Sequence, residues 1–188
     1  MALEKPKYEV LESQDNFELR QYEPYIVAET LVNGDFEGAG NEGFRRLADY
    51  IFGNNRSRRK LEMTAPVKQS SSQKIAMTAP VSMHSAGEQY RITFMMPSEY
   101  TLDTLPEPVN PEVRIRQESG RLVAAVRYSG TWSQRRYAEH QAELQAWVAA
   151  RGWHAAGEPV FARYDPPIKP WFLRRNEILI PIEEAVSP

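Results

Sequence analysis

The hydrophobic pattern of this chain occurs twice along its length, and this recurrence constrains the fold more than any other feature. Residues 17–22 alternate apolar and polar side chains, which is the period of a half-buried strand, and residues 25–32 predict a second strand. Between about 41 and 52 the apolar residues take the spacing of an amphipathic helix, and a further strand is predicted at 90–96. The first unit therefore has the order strand, strand, helix, strands.

The same order returns after a proline-rich connection. The second unit has predicted strands at 112–117 and 122–128, a helix at about 133–150, and final strands at 160–164 and 177–182. We expect an α+β fold in which the duplicated unit forms a distorted antiparallel β-barrel flanked by two α-helices. We also expect one domain over residues 1–188, with pseudo-repeats at about 8–100 and 110–184, because neither half alone would bury much core.

A short internal repeat interrupts the first unit. Residues 60–67 and 74–81 both begin with lysine and end with Met-Thr-Ala-Pro-Val. Two strands joined by the polar linker at 68–73 are expected to pair antiparallel. Because proline cannot donate a hydrogen bond to a neighbouring strand, Pro66 and Pro80 should lie at strand ends, edges or bulges.

The composition excludes several classes of site and partner. The chain has no cysteine, so disulfides, thiolate metal sites and covalent haem attachment through cysteine are excluded. Its 23 basic and 25 acidic residues give a net charge of −2, so no nucleic-acid or membrane partner is expected. The N-terminus lacks the pattern of a secretory signal, and the predicted location is the cytoplasm. The oligomeric state stays open, with a monomer favoured.

The sequence gives little support to catalysis or to a metal site. It contains no nucleophile-elbow or phosphate-loop motif, and none of its three histidines has a second ligand at metal-binding spacing. His84 and His154 are expected at the surface, and His140 beside the apolar stripe of the second helix is expected to pack. Asp165 and Glu177 could form an acid/base pair. The favoured interpretation is that Asp165 caps a turn and Glu177 pairs with Arg174 or Arg175.

Several segments together resemble the SOUL (haem-binding protein) family. The matching motifs are Gly-Phe-Arg-Arg-Leu-Ala-Asp-Tyr-Ile-Phe-Gly at 43–53, the repeated Met-Thr-Ala-Pro-Val, Phe-Met-Met-Pro at 94–97 with Leu-Pro-Glu-Pro at 105–108, Ser-Gly-Thr-Trp at 129–132, and the proline-rich segment 162–177. The resemblance extends over nearly the whole chain from about residue 8. It implies the same duplicated barrel, and it implies non-covalent binding of haem or a related tetrapyrrole.

The resemblance also implies where the ligand binds. In the family the ligand occupies an apolar groove between the first helix and the loop before the last strand. Carried onto this chain, and extended to neighbouring apolar and basic side chains, the cofactor-binding residues are Asn41, Phe44, Leu47, Ala48, Ile51, Ile168, Lys169, Trp171 and Arg174. Lys169 or Arg174 would pair with a propionate, while the apolar residues would enclose the macrocycle.

Some alternatives remain open. Gln21 stands where some family members carry a histidine proposed as an axial ligand, and Met63 or Met77 could ligate iron instead. The favoured interpretation places both methionines in the core. Beside a carrier, buffer or sensor of tetrapyrroles, the chain could be a protein-interaction module or an enzyme acting on an apolar small molecule. An enzyme would need a carboxylate buried in a deep pocket with a raised pKa.

Overall fold

The structure is a computed structural model that describes residues 3–58 and 72–184. In chain order its elements are β1 (Tyr8–Gln14), β2 (Phe17–Tyr22), β3 (Tyr25–Val32), α1 (Phe36–Phe52), β4 (Asn55–Arg56), β5 (Val81–Ala86), β6 (Gln89–Met95), β7 (Glu107–Pro108), β8 (Arg114–Glu118), β9 (Arg121–Ser129), α2 (Gln134–Ala149), β10 (Trp153–Ala155), β11 (Val160–Arg163), a short 3-10 helix (Trp171–Leu173) and β12 (Arg175–Glu184).

One strongly curled antiparallel sheet organises the fold. Its strands follow the order β1-β2-β9-β12-β11-β5-β6-β3-β8, and β10 also pairs with β12. From β2 to β8 the strands of the first unit and those of the second occupy equivalent places, counted from opposite ends. Strand β2 at one end corresponds to β8 at the other, and β9 beside β2 corresponds to β3 beside β8. The predicted α+β class and the duplicated strand-strand-helix-strands unit are confirmed.

The two faces of the sheet differ in what covers them. Helix α1 packs on β3 and β6, and α2 packs on β9, β10 and β12. On β9 the side chains of Ala124 and Val126 join the large core beneath the helices, whereas Val123 and Ala125 belong to a smaller cluster on the opposite face. We call these the covered face and the open face. The alternation follows from the two-residue period of a strand.

Helix α1 begins earlier than its hydrophobic pattern predicts. Asp35 caps its first turn by accepting a hydrogen bond from the backbone N–H of Gly38, and Gly53 ends it with a positive φ of 127°. Residues 36–43 contain three glycines and few apolar residues, so the apolar period is weak there. Gly43 is required by packing, because a Cβ at this position would lie 2.5 Å from Cγ1 of Ile92. The glycine allows α1 to lie close against β6.

Helix α2 agrees with the prediction at both ends. Ser133 accepts a hydrogen bond from the backbone N–H of Arg136 and caps the helix. Its buried side chains are Leu144, Trp147 and Val148, and Tyr137 is half-buried against the same core.

The prediction for the short repeat is partly wrong. Its second copy contains no strand before Val81, although Thr78 forms an isolated bridge with Glu4. Pro80 directly precedes β5, as expected for a residue that cannot donate a ladder hydrogen bond. The first copy, with Met63 and Pro66, lies outside the described residues, and so does any pairing between the copies.

Candidate ligand-binding site

A cavity of about 400 Å³ lies between α1 and the loop that precedes β12. We call it the helix cavity. Asn41 and Phe44 form one wall and Asp165, Pro166 and Pro167 the other. The remaining lining residues come from the N-terminal segment, the segment before β5, the covered face and the loop after β9, and include Leu3, Met77, Met83, Ile92, Phe161, Trp132 and Arg163.

The helix cavity is lined mainly by apolar side chains. Phe44 is 39% exposed, and its ring centroid lies 5.4 Å from that of Phe94, so one edge of the ring is supported by the core. Met83 and Phe161 are buried in the covered-face core beneath the cavity. Such a surface suits a flat apolar ligand, since apolar and aromatic walls with few polar groups are typical of small-molecule sites.

Arg163 is a charged residue of this cavity for which the described residues supply no hydrogen bond or ion pair. Its guanidinium lies 4.8 Å from the ring centroid of Trp132 and 5.0 Å from that of Phe161. Within the described part of the chain it makes no hydrogen bond and no ion pair, and burial lowers its pKa below the ordinary arginine value. A half-buried cation without an anion is unfavourable, so an anionic ligand would compensate it.

The structure divides the predicted helix residues into two groups. Asn41 and Phe44 line the helix cavity, as the resemblance implies. Leu47 and Ile51 are 0% and 1% exposed and pack in the covered-face core, and Ala48 is also buried. Phe44, Leu47 and Ile51 lie on one stripe of α1, so the difference follows from position along the helix, with Asn41 and Phe44 nearer its N-terminus.

The predicted loop residues lie outside the helix cavity. Ile168 is 89% exposed and Trp171 is 57% exposed. Lys169 Nζ lies 2.7 Å from Asp165 Oδ1. Arg174 donates hydrogen bonds to the carbonyl oxygens of Lys169 and Pro167. Both predicted cations are thus engaged within the loop, and their contacts hold it in place.

Arg163 lines the helix cavity but is not among the ligand-binding residues predicted from the sequence. The available signal was its position on β11, because Phe161 and Arg163 are two residues apart and point to the same face of a strand. A charged residue at a core-facing strand position is unusual unless it is paired or binds something.

The other candidate ligands take different positions. Met77 is partly buried against the core and also lines the helix cavity, whereas Met63 lies outside the described residues. His140 stacks on Tyr128 with 4.1 Å between ring centroids, so its predicted packing role is confirmed. The prediction for His84 is wrong: it lies within β5, half-buried on the open face. His154 on β10 is exposed, as expected.

Glu177 is held in a buried ionic cluster. Its two carboxylate oxygens accept hydrogen bonds from Arg20 at 2.8 and 3.0 Å, and it also accepts from Arg175 and from the hydroxyl of Tyr164. Burial alone would raise the pKa of Glu177, but the hydrogen bonds and charges of the arginines outweigh it and lower the pKa. This is the opposite of the raised pKa that an acid/base role requires. The predicted pairing with Arg175 is confirmed.

Asp165 stabilises the turn before β12. It accepts a hydrogen bond of 2.6 Å from the backbone N–H of Arg175 and pairs with Lys169. Burial opposes ionisation, yet these two contacts lower the pKa of the carboxyl group below its ordinary value. Asp165 therefore acts as the predicted cap.

Two kinds of feature are absent from the described residues. Residues 3–58 and 72–184 contain no group of three or more acidic or histidine side chains placed to hold a metal ion. They also contain no helix that is long and apolar enough to cross a membrane.

Comparison with known sequences supports the resemblance. A family model described as SOUL heme-binding protein matches residues 3–72 and 68–181. Heme-binding protein 1 of Xenopus laevis is 28% identical over 163 residues, which cover 86% of this chain and 81% of that protein. Heme-binding protein 2 of Homo sapiens is 27% identical over 172 residues, which cover 86% of this chain and 80% of that protein.

Comparison with solved structures shows a shared fold. The C-terminal domain of EcmrR superposes with a TM-score of 0.61 at 13% identity and covers 95% of this chain and 99% of its own. A hydrolase from Listeria innocua superposes with a TM-score of 0.62 at 11% identity, covering 92% and 94%. At identities this low the likeness concerns the fold alone.

Proposed function

Because the chain belongs to the SOUL heme-binding protein family, we propose that it binds haem or a related tetrapyrrole without a covalent bond in the helix cavity. It would act there as a cytoplasmic carrier, buffer or sensor and not as an enzyme. The observation that carries the proposal is an apolar cavity beside α1 that contains Arg163, an arginine with no ion pair to any residue in 3–58 or 72–184.

The chemistry of a tetrapyrrole matches this arrangement. The macrocycle is a flat apolar disc, and its propionates are anions at one edge. Phe44 and the prolines of the loop offer apolar contacts on opposite walls, and Arg163 offers a planar set of donors that fits a carboxylate. Because Lys169 and Arg174 are engaged within the loop, Arg163 replaces them in the proposal as the partner of a propionate.

Ligation of iron is secondary in this proposal. No histidine lines the helix cavity within the described ranges, and Met77 and Met83 are the residues there that carry a weak thioether ligand. Bound haem would supply its iron chemistry, while the chain supplies apolar contact and a cation. A metal-free porphyrin should therefore bind about as well as haem.

Substitution at Phe44 tests the location of the site. In absorbance titrations with hemin, Phe44→Asp should weaken binding by about tenfold or more, because it places a charge against an apolar ligand. Phe52→Asp is the matched control, since Phe52 lies on the same helix, is 60% exposed and does not line the cavity. Equal affinity in the wild type and both variants would show that the ligand binds elsewhere.

A further inference from the structure

A second cavity of about 550 Å³ lies on the open face of the sheet. We call it the open-face cavity. It is lined by open-face positions of β3, β5, β6, β8 and β9, and also by residues of β11 and β12. Phe44 and Arg163 do not line it, although Tyr164 lines both cavities.

One part of the open-face cavity is aromatic and apolar. Tyr22 and Tyr164 are buried members of the small open-face core, and Tyr25 packs against the same cluster. The hydroxyl groups of Tyr22 and Tyr164 already bond to Arg20 and Glu177, and Arg175 lies 4.3 Å from the centroid of the Tyr164 ring. The half-buried Tyr25 is the tyrosine with the most ring surface toward the cavity. Tyrosine rings held in this way favour stacking with an aromatic ligand.

The other part of the cavity combines three arginines with three carboxylates, and the pairing among them is uneven. Arg116 pairs with Glu29 at 2.7 Å and with Glu118 at 2.6 Å, and Arg121 lies 3.4 Å from Glu118. These two carboxylates thus serve three arginines, because Arg91 also faces Glu29. A third carboxylate, that of Glu158, is exposed at the rim.

Arg91 is the cation with the poorest pairing. Its Nε lies 3.7 Å from Glu29 Oε2, which is too long for a hydrogen bond, and this buried nitrogen finds no acceptor among the described residues. A buried donor left without an acceptor costs stability unless water or a ligand accepts from it. Its neighbour His84 has a pKa lowered by burial and by Arg91, so it adds no second positive charge at neutral pH.

We propose that the open-face cavity is a second binding site, which takes a small aromatic anion of one or two rings with one carboxylate or sulfonate. The anion accepts hydrogen bonds from Arg91, and the rings lie against the tyrosines. This site is independent of tetrapyrrole binding in the helix cavity.

Calorimetric titration with 2-naphthoate tests the proposal, with the uncharged 2-naphthalenemethanol as the ligand control. The wild type should bind 2-naphthoate at least about fivefold more tightly than the alcohol, and Arg91→Gln should remove most of that difference. Arg135→Gln is the control for loss of a positive charge, because the Arg135 side chain is 84% exposed on α2. This control and Phe44→Asp should both keep the wild-type affinity within about twofold.

Chemical-shift mapping on the wild type makes the test independent of the folding of any variant. Addition of 2-naphthoate should shift backbone amides of β3, β6 and β8 more than those of α1. Three results would overturn the proposal: no saturable binding at millimolar 2-naphthoate, unchanged affinity in Arg91→Gln, or shifts concentrated on α1. If the wild type binds 2-naphthoate as predicted but does not bind hemin, the function proposed for the helix cavity is refuted and the second site is supported.

Discussion

Replacement of Arg163 by methionine is the sharpest test of how the helix cavity recognises its ligand. Arg163→Met keeps an unbranched stem against Trp132 and Phe161 but removes the cation. In the wild type the guanidinium has no hydrogen bond or ion pair within the described residues, so a bound carboxylate would be its anionic partner. A hydrogen bond to a charged group contributes about 1.5–3 kcal/mol, which corresponds to about 10- to 150-fold in Kd.

Hemin and hemin dimethyl ester provide the matched ligands, because the ester keeps the macrocycle and removes both carboxylates. Absorbance titrations should show that the wild type prefers the free acid by about tenfold or more and that Arg163→Met binds both ligands alike. The variant should stay folded, with a free energy of unfolding no more than about 1 kcal/mol below that of the wild type, since it removes an unfavourable half-buried charge and breaks no ion pair with a described residue.

Lys169→Met is the control for this experiment. Lys169 is also a cation close to the helix cavity, in the loop before β12, but its ammonium group is already paired with Asp165 at 2.7 Å. Its loss should change hemin affinity by no more than about twofold. If Lys169→Met weakened binding while Arg163→Met left it unchanged, the assignment of the carboxylate partner would be wrong.

Three further predictions concern the frame around the site. Glu177→Gln should cost about 3–5 kcal/mol and lower Tm by about 6–20 °C in thermal melts, because it removes the buried carboxylate that Arg20 and Arg175 share and leaves Arg20 with Glu18 alone. Folding lowers the pKa of Glu177, so its contribution to stability is fully present above the ordinary value of 4.5 and is lost as the pH falls through the folded pKa. Urea midpoints should therefore fall in acid for the wild type and fall less for the variant, in which Asp165 still contributes an acid loss. Gly43→Ala should cost about 1–3 kcal/mol, because the new methyl group would overlap Ile92; an unchanged midpoint would contradict the packing argument. Trp171→Ala should leave hemin affinity within about twofold, since Trp171 lies outside the helix cavity, and a larger loss would show that the 3-10 helix touches the ligand.

Residue periodicity predicted the fold because it reports which face of an element is buried. Leu144, Trp147 and Val148 identified α2, and the recurrence of strands and helices gave the duplicated unit. Periodicity does not predict an element whose side chains are mostly exposed. Strand β1 is mostly exposed along its length and shows no alternation, so it was not predicted. The single domain over residues 1–188 stays a prediction.

The site was harder to predict than the fold, because a hydrophobic stripe does not say what it packs against. Phe44, Leu47 and Ile51 belong to one amphipathic pattern, yet Phe44 lines the cavity and the other two pack under the helix. Lys169 and Arg174 could be recognised as basic loop residues, but their bonds within the loop depend on the folded backbone. Arg163 could be recognised as a cation at a core-facing position of β11, but only the folded structure shows that no described residue pairs with it.

The most direct test of tetrapyrrole binding is a pair of absorbance titrations of the wild-type protein, one with hemin and one with metal-free protoporphyrin. The account predicts saturable binding of both ligands at about one per chain with similar affinity, because apolar contact and a cation hold the ligand. Binding of hemin alone would contradict the view that iron ligation is secondary and would direct attention to Met77 or His140. Binding of neither would leave the fold intact and refute the proposed function.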